Sequence, residues 1–316
     1  MPSLPSLVGE AIAKRAPLHD DPRQTAYRLF HGYGEGWPGL VIDRYGEVAL
    51  ITYKTSLEED LGAVADAITE ALGPRCPIVL AKGHRHFDWN ARAVSREVLH
   101  GDLPREPVPV RDNGLNLLAT PHSHTSNGLF LDARPIRGWL RENSSQRRVL
   151  NLFAYTGSLG VAAAAGGARS VVHLDKKRGP LDLARENHRV NGLPVDGRGF
   201  LAGDVYQHLP RAARSGASFD AIILDPPPRV HRRKGATGAA SQDFAELTKL
   251  STALLDSGGW LLCFFHRFDR GRAAFEAEVL ESAICPLSVL WRGGSGEDFP
   301  EPNPEHALRV TAFARP

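Results

Sequence analysis

The sequence predicts an α/β protein in which a doubly wound, mostly parallel sheet follows a small N-terminal α+β domain. After about residue 121, apolar strand-like segments alternate with helix-like segments, an order typical of a parallel sheet covered by helices. These strand segments are nearly continuous apolar runs, as expected when both faces of a sheet are buried. Before residue 120 the order is strand, strand, helix, strand and hairpin. We therefore divide the chain into an N-terminal arm at residues 1–25, a small domain at 26–120 and a larger domain at 121–316.

The composition excludes several classes of protein. With 316 residues, of which 42% are hydrophobic and 23% charged, the chain can bury a substantial core. No apolar run reaches the roughly 20 residues of a membrane-spanning helix, and the first residues lack the apolar stretch of a signal peptide. Three cysteines without zinc-ligand spacing predict neither a disulfide framework nor a metal site. We expect a cytoplasmic protein that binds no membrane and no metal, and whose net charge of +2 is compatible with an anionic partner.

In the N-terminal part, helical spacing and turn residues predict each element. The arm combines prolines and mixed charges and is expected to hold one short helix. The segment Leu40–Lys54 is predicted to form two strands joined at Tyr45-Gly46, and Ser56–Gly73 a helix that ends at its glycine. The remaining elements are a strand at Ile78–Gly83 and a hairpin at Val108–Thr120 that turns at Asp112-Asn113-Gly114.

In the larger domain, helices and strands are predicted to alternate after a first helix at Phe130–Glu142. The predicted strands are Arg148–Tyr155, Ser170–Asp175, Gly197–Asp204, Phe219–Pro228 and Trp260–His266. The predicted helices between them are Gly157–Gly167, Pro180–Gly192 and Asp243–Gly259.

Glycine and acidic residues follow these strands, at the sheet edge where such folds bind ligands. The first strand runs into Tyr155-Thr156-Gly157, a turn that allows close approach of a ligand but is also common for structural reasons. The second and third strands end at Asp175 and Asp204, which suit ribose and adenine contacts but also helix capping. The fourth ends at Asp225-Pro226, where further prolines stiffen the loop and remove donors. Together these strand ends favour a nucleoside cofactor.

The glycine pattern narrows the choice of cofactor. NAD and FAD need three glycines around the pyrophosphate, and ATP-binding P-loops need a Lys-Ser/Thr pair; the chain has neither at this position. S-adenosylmethionine has a ribose and an adenine but no phosphate. Its carboxylate needs a cation, for which Arg134 is a candidate, although Arg134 could equally be an ordinary surface arginine of a helix.

The motifs of the larger domain also carry a family resemblance. Asn127–Arg229 contains, in order, NGLFLDARPIR, VLNLFAYTGSLGVAAAAGGA, SVVHLDKK, GDVYQHL and FDAIILDPPP. They resemble bacterial S-adenosylmethionine-dependent ribosomal RNA methyltransferases of the large-subunit methyltransferase I type, which form 5-methylcytosine in 23S rRNA. GEGWPGLVIDRYGEVALITY and EDFPEPNPEHALRVTAFA are similar to the same family, so the resemblance extends over nearly everything from Tyr27 onward. It implies a class I, Rossmann-like methyltransferase fold, S-adenosylmethionine as cofactor and ribosomal RNA as partner.

Matched position by position, the resemblance also implies site residues. Asp175 is matched to the ribose ligand, Asp204 to the adenine contact, and Asp225 with Pro226 to the catalytic loop. The residues matched to the methionine-side pocket are Arg134, Phe153, Tyr155, Thr156 and Gly157.

One departure from the family concerns RNA binding. The family carries an N-terminal PUA domain, whereas only about 25 residues precede the matching region here. We therefore expect the RNA contacts elsewhere. The basic segment after the catalytic motif could clamp phosphates or form an ordinary solvated face; it contains Arg229, His231, Arg232, Arg233 and Lys234.

A second departure concerns the chemistry. Methylation of cytosine C5 needs a thiolate that first adds to C6. The family places this cysteine just after the fifth strand, where the present chain has His266. Cys263 lies three residues earlier, among apolar residues typical of a strand core, so it is either the nucleophile or an inert core residue. His266 would in the second case orient the base or accept a proton.

We therefore expect an S-adenosylmethionine-dependent methyltransferase that acts on an RNA base, with Asp225, Pro226, His266 and Cys263 as the catalytic candidates. Three alternatives remain. The target could be an exocyclic amine or ring nitrogen of RNA, the substrate could be a small molecule or a protein, or the chain could be a non-catalytic RNA-binding factor.

Overall fold

The structure, a computed structural model, describes residues 2–84, 93–123, 126–227, 240–266, 270–303 and 307–316. It contains two compact units. The first comprises Met1–Arg134 with Gly296–Pro304, and the second Pro135–Ser295 with Glu305–Pro316. Among the described residues, no helix is long and apolar enough to span a membrane.

The first unit is built on a five-stranded mixed sheet in the order β1-β2-β3-β4-β5, with a separate β6-β7 hairpin. Only the β3–β4 pair is parallel. The elements are α1 (Leu4–Lys14), α2 (Ala16–Asp20), β1 (Ala26–His31), β2 (Leu40–Tyr45), β3 (Val48–Lys54), α3 (Leu61–Leu72), β4 (Ile78–His84), β5 (Ala93–His100), β6 (Val108–Asp112) and β7 (Leu115–Ala119).

Residues 4–20 contain two helices that are part of this unit's core, where the sequence predicted an arm with one short helix. Ser3 caps α1 by accepting the backbone N–H of Ser6. Val8 and Ile12 of α1 lie one helical turn apart and are buried in the same apolar cluster as α3. The turns predicted at Tyr45-Gly46 and Asp112-Asn113-Gly114 are confirmed, and Gly46, Asn113 and Gly114 have positive φ.

The second unit has a seven-stranded sheet in the order β10-β9-β8-β11-β12-β14-β13. Strands β8 to β12 are parallel, and β14 runs antiparallel to both β12 and β13. The elements are α4 (Arg134–Asn143), β8 (Arg148–Leu152), α5 (Ser158–Ala165), β9 (Ser170–Asp175), α6 (Arg178–Arg189), β10 (Phe200–Ala202), α7 (Val205–Arg214), β11 (Phe219–Leu224), α8 (Ala240–Thr252), β12 (Leu255–Phe265), α9 (Arg272–Ser282), β13 (Ser288–Gly294) and β14 (Arg309–Ala314).

This topology confirms the predicted doubly wound α/β fold. Helix α5 packs on α6, β8 and β9, whereas α8 packs on α7, α9, β11 and β12. The chain order of the strands reverses between β8 and β11, and the carboxyl ends of parallel strands beside such a switch point form the usual ligand cleft.

The helix predicted over Asp243–Gly259 was too long at its C-terminal end. Helix α8 ends at Thr252, and Leu255 pairs with Phe219 as the first residue of β12. Both Leu254 and Leu255 are buried, which continues the apolar spacing of α8 and made the segment look helical. Elements α7, α9, β1, β5, β13 and β14 were not predicted from the sequence.

Candidate active site

The segment after β8 has an unusual backbone. Phe153, Tyr155 and Gly157 all have positive φ, at 55°, 50° and 76°. Residues other than glycine seldom adopt this conformation, and such residues concentrate at ligand-binding sites. Of the three, Gly157 directly precedes α5. The segment therefore turns sharply at the switch point of the sheet, as the sequence predicted for a glycine turn at this position.

Asp175, the last residue of β9, holds this segment through its carboxylate. Its Oδ2 accepts the backbone N–H of Tyr155 at 2.8 Å, and its Oδ1 accepts that of Lys177 at 2.8 Å. A carboxylate has about four acceptor positions, so both oxygens keep capacity for a hydroxyl donor. Asp175 thus has a fixed orientation at the carboxyl end of the strand, beside the turn.

The two glycines of the GSLG motif allow α5 to pack closely on β9. A Cβ atom on Gly160 would lie 2.3 Å from Cε1 of His173, and one on Gly157 would lie 2.7 Å from Cβ of Ala184 in α6. Gly160 is therefore needed for contact between the helix and the sheet.

Asn187 of α6 supports the same turn and was missed by the sequence analysis. Its Nδ2 donates to the carbonyl of Thr156 at 2.9 Å, and the side chain is 1% exposed. Leu181 and Ala184 form the buried face of α6, and Asn187 continues that face. A polar residue on the apolar face of a predicted helix was the signal that could have revealed it.

His173 and His188 extend this buried polar layer. The Pro194 carbonyl can only accept, so Nδ1 of His188 donates to it at 2.9 Å. In this neutral ring Nε2 of His188 is then the acceptor, and it accepts from Nε2 of His173 at 2.9 Å. Nδ1 of His173 in turn accepts from the Asn151 amide at 3.3 Å. Burial, with a smaller effect of His188, lowers the pKa of His173 to about 3, and burial also lowers the pKa of His188. Both rings are therefore neutral near pH 7.

Asp204 has a capping role in the structure. Its Oδ1 accepts the backbone N–H of Tyr206 at 2.9 Å at the start of α7. This is the helix-capping alternative considered from the sequence, and one carboxylate can cap a helix and still accept a further hydrogen bond. The adenine contact remains a prediction.

Asp225 and His266 form a pair at the carboxyl ends of β11 and β12. Nε2 of His266 lies 2.6 Å from Oδ1 of Asp225, and the two side chains are 29% and 23% exposed. Pro226, the next residue, is buried. The structure thus joins two of the four catalytic candidates at the edge of the sheet that also carries Asp175.

Cys263 is placed differently from these residues. It is 0% exposed and belongs to the apolar cluster that contains Phe275 and Val279 of α9. Burial raises the pKa of its thiol far above the usual value. Since the thiolate is the nucleophilic form, this position argues against Cys263 as the nucleophile and agrees with its alternative reading as a core residue.

Arg134, the predicted cation for the methionine carboxylate, has a protein carboxylate as its partner. Its Nη2 pairs with Oδ1 of Asp298, and both residues belong to the first unit. Asp298 also accepts the backbone N–H of Arg28 at 3.0 Å. Part of the guanidinium is therefore already engaged, and its role as a cofactor ligand remains a prediction. The basic residues Arg229, Arg232, Arg233 and Lys234 lie outside the described residues.

Comparison with known proteins identifies the family of the chain. The family described as S-adenosylmethionine-dependent methyltransferase matches residues 27–314. The ribosomal RNA large subunit methyltransferase I of Aeromonas salmonicida is 31% identical over 274 residues, which cover 87% of this chain and 69% of that protein. The protein of the same name from Shigella flexneri is 32% identical over 239 residues, covering 76% and 60%. The chain thus spans 60% to 69% of the length of these relatives.

A solved structure shows the same fold. A putative S-adenosylmethionine-dependent methyltransferase from Streptococcus mutans superposes with a TM-score of 0.86 at 23% identity, covering 99% of this chain and 82% of that one. The family match extends over almost the whole chain. The protein therefore belongs to the S-adenosylmethionine-dependent methyltransferase family.

Proposed function

We propose that this protein transfers a methyl group from S-adenosylmethionine to a base of RNA, and that the RNA is ribosomal. The observation that carries the proposal is the row of carboxylates at one edge of the sheet. Asp175 ends β9 and Asp225 directly follows β11, on either side of β8, and Asp204 follows β10. The relatives described above, which are ribosomal RNA methyltransferases by name, support RNA as the substrate.

The residues present fit S-adenosylmethionine. The oriented Asp175 carboxylate suits a ribose diol, which offers two hydroxyl donors. Tyr155 stands where a pyrophosphate-binding loop has the first of its three glycines, and Gly160 serves the packing of α5 on the His173 ring, so the turn lacks the full set of glycines that brings the backbone into contact with a pyrophosphate. A cofactor without phosphates needs no such contact. Asp175, Asp204 and the Phe153–Gly157 turn are therefore the residues that would hold it.

Methyl transfer at this site depends more on the orientation of the target base than on activation of the methyl group. S-adenosylmethionine supplies an electrophilic methyl group when bound. Asp225 and the carbonyl of Pro226 are acceptors that would orient the amino edge of a base, and Pro226 itself has no N–H donor. A base within structured RNA must leave its stack to reach such a cleft. Positioning and electrostatics of this kind account for large rate effects without a metal.

RNA binding is proposed for the basic segment that directly follows the catalytic motif. Arg229, Arg232, Arg233 and Lys234 supply four cationic side chains within six positions of sequence. Cations of this kind bind phosphates without reading sequence. We propose a cytoplasmic site of action, where ribosomal RNA is accessible.

Methyl transfer from tritiated S-adenosylmethionine tests the proposal. The purified protein is incubated with ribosomal RNA from a strain that lacks it, and with RNA from the parent strain as a control. We expect label only in the RNA from the deletion strain, because the site is already methylated in the parent. Label found only in protein or in small molecules would favour a protein or a small molecule as the substrate. Binding of RNA without any methyl transfer would favour a non-catalytic RNA-binding factor. Either result contradicts the proposal.

A further inference from the structure

The Asp225–His266 pair has a defined proton arrangement. A carboxylate oxygen accepts hydrogen bonds, so we assign the ring hydrogen of His266 to Nε2, which lies 2.6 Å from Oδ1 of Asp225. Nδ1 then carries the lone pair. A carboxylate that holds one ring nitrogen also stabilises the imidazolium that forms when the other nitrogen takes a proton. Both side chains remain partly exposed, at 29% and 23%, at the end of the strands.

We propose that His266, supported by Asp225, accepts the proton that the target atom loses, and that the target is therefore a base nitrogen that carries hydrogen. This substrate class comprises exocyclic amines and ring nitrogens that carry a hydrogen in the neutral base, and it excludes pyrimidine C5. The inference rests on the proposed function, since it names the target within the same site.

The cysteines of the chain support this assignment. C5 methylation requires a thiolate, and the chain has three cysteines, all of which are described. Cys263 is enclosed in the core, as is Cys76 in the first unit, where burial raises the thiol pKa to about 12. Cys285 precedes β13, which runs parallel to β12. It therefore lies at the amino-end edge of the sheet, opposite His266.

The position of Cys285 follows from its neighbours as well as from the topology. The backbone N–H of Ile284 donates to Oγ1 of Thr252, the last residue of α8 before β12 begins. Cys285 is therefore remote from the carboxyl end of β12, where the substrate base is proposed to bind. Cys263 is near that end of the strand, but it is fully buried in the apolar cluster.

The proposed step balances in atoms and electrons. The nitrogen lone pair forms the N–C bond to the methyl carbon, while the C–S bond breaks and its electron pair stays on sulfur. The proton of the methylated nitrogen moves to Nδ1 of His266, which becomes an imidazolium paired with Asp225. Solvent takes this proton at the partly exposed ring before the next turnover. No further reactant is needed.

The first test uses a 23S rRNA transcript made with 5-tritiated cytidine and uridine triphosphates. C5 methylation expels the C5 hydrogen, so it releases tritium to water, whereas nitrogen methylation retains it. With carbon-14 methyl S-adenosylmethionine, we expect methyl incorporation without tritium release, and an N-methyl nucleoside by mass spectrometry. Tritium release equal to methyl incorporation overturns the inference and leaves the proposed function standing, whereas a methyl group on ribose contradicts the proposed function, which names a base. No incorporation at all contradicts the proposed function itself.

The second test separates a proton acceptor from a structural histidine. His266→Gln should lower kcat by about 10²- to 10⁴-fold, the usual contribution of a general base, with the Kd of S-adenosylmethionine changed less than about twofold. His100→Gln, an exposed histidine of the first unit, is the matched control and should leave kcat unchanged. Cys263→Ala should retain methyl transfer, because the thiol takes no part. A His266→Gln enzyme with normal kcat, or an inactive but folded Cys263→Ala enzyme, overturns the proposal.

A spectroscopic readout needs no turnover. In protein labelled with ¹⁵N-histidine, long-range ¹H–¹⁵N spectra should show His266 as the Nε2–H tautomer, with its signals assigned by their loss in His266→Gln. Asp225→Asn should weaken this preference, whereas Asp182→Asn on the exposed surface of α6 should not. A predominant Nδ1–H tautomer in the unsubstituted protein would overturn the assigned roles.

Discussion

At the residue scale, Asp175 is the proposed ligand of the cofactor ribose at the end of β9. Its two oxygens are oriented by the N–H groups of Tyr155 and Lys177, so the carboxylate needs little reorganisation to accept a ribose diol. The sequence identified this residue from its distance to the glycine turn. It could not show the two backbone hydrogen bonds, which depend on the positive φ of Tyr155.

Asp175→Ala should weaken the binding of S-adenosylmethionine by about tenfold or more. Hydrogen bonds to a carboxylate contribute about 1.5–3 kcal/mol each, and 1.4 kcal/mol corresponds to about tenfold in Kd. Titration calorimetry measures the effect, and Asp182→Ala, an exposed carboxylate of α6, is the control. An unchanged Kd in a folded Asp175→Ala protein would contradict the cofactor site.

At the element scale, contact between α5 and β9 depends on the buried His173 ring and the absence of a side chain at Gly160. The sequence predicted the helix that is now α5, but its glycines were interpreted only as part of a turn that a ligand can approach. His173, which Gly160 packs against, lies 13 positions later in the sequence, in strand β9. No local sequence pattern reveals this contact.

Gly160→Ala should lower the free energy of unfolding by about 1–3 kcal/mol, the usual cost of overpacking a core. The added Cβ would lie 2.3 Å from His173, which is itself fully buried and has little room to move. Gly179→Ala in α6 is the control: it has nothing within 4 Å, and we expect a gain of about 0.5–1 kcal/mol from helix propensity. Urea denaturation compares the two, and equal stabilities would contradict the close packing of α5.

The buried histidines predict a loss of stability in acid. The pKa of His173 is about 3 in the folded protein, against about 6.5 in an unfolded chain. The unfolded state therefore binds more protons as the pH falls below about 6.5, and the folded state loses stability down to about pH 3. Between pH 7 and pH 5 this histidine should account for about 2 kcal/mol of lost unfolding free energy. His173→Gln should show a correspondingly smaller loss in urea denaturation; an identical loss would contradict the buried neutral ring.

The limits of sequence reasoning also appear at the element scale. Strands β8, β9 and β11 were predicted because each is a nearly continuous apolar run with a glycine turn or an acidic residue at or after its end. The predicted end of α8 was wrong because Leu254 and Leu255 preserve helical spacing although Leu255 already begins β12. Asn187 was missed because its hydrogen bond to Thr156 joins residues 31 positions apart.

At the scale of the whole molecule, the proposed cofactor and target site and the proposed RNA-binding segment are different parts of the chain. The seven-stranded sheet brings Asp175 and the Asp225–His266 pair to one edge, although they are up to 91 positions apart in sequence. RNA affinity is proposed to come from the basic segment after this motif. It should then depend strongly on salt, because each neutralised phosphate releases bound counterions.

Replacing Arg232 and Arg233 together with alanine should reduce the slope of log K against log salt by about one to two, as expected for the loss of that many phosphate contacts. Filter binding to ribosomal RNA at several salt concentrations measures the slope. Arg185→Ala with Arg189→Ala on α6 is a charge-matched control. An unchanged slope in the first variant would place the RNA elsewhere on the protein.

Nucleoside mass spectrometry of ribosomal RNA tests the central claim most directly. It compares the parent strain, a strain lacking this protein, and the deletion strain carrying either the unsubstituted protein or Asp225→Asn. We predict that one methylated nucleoside disappears on deletion, returns with the unsubstituted protein and does not return with Asp225→Asn. Identical nucleoside profiles in the parent and deletion strains would contradict the assignment of this protein as a ribosomal RNA methyltransferase.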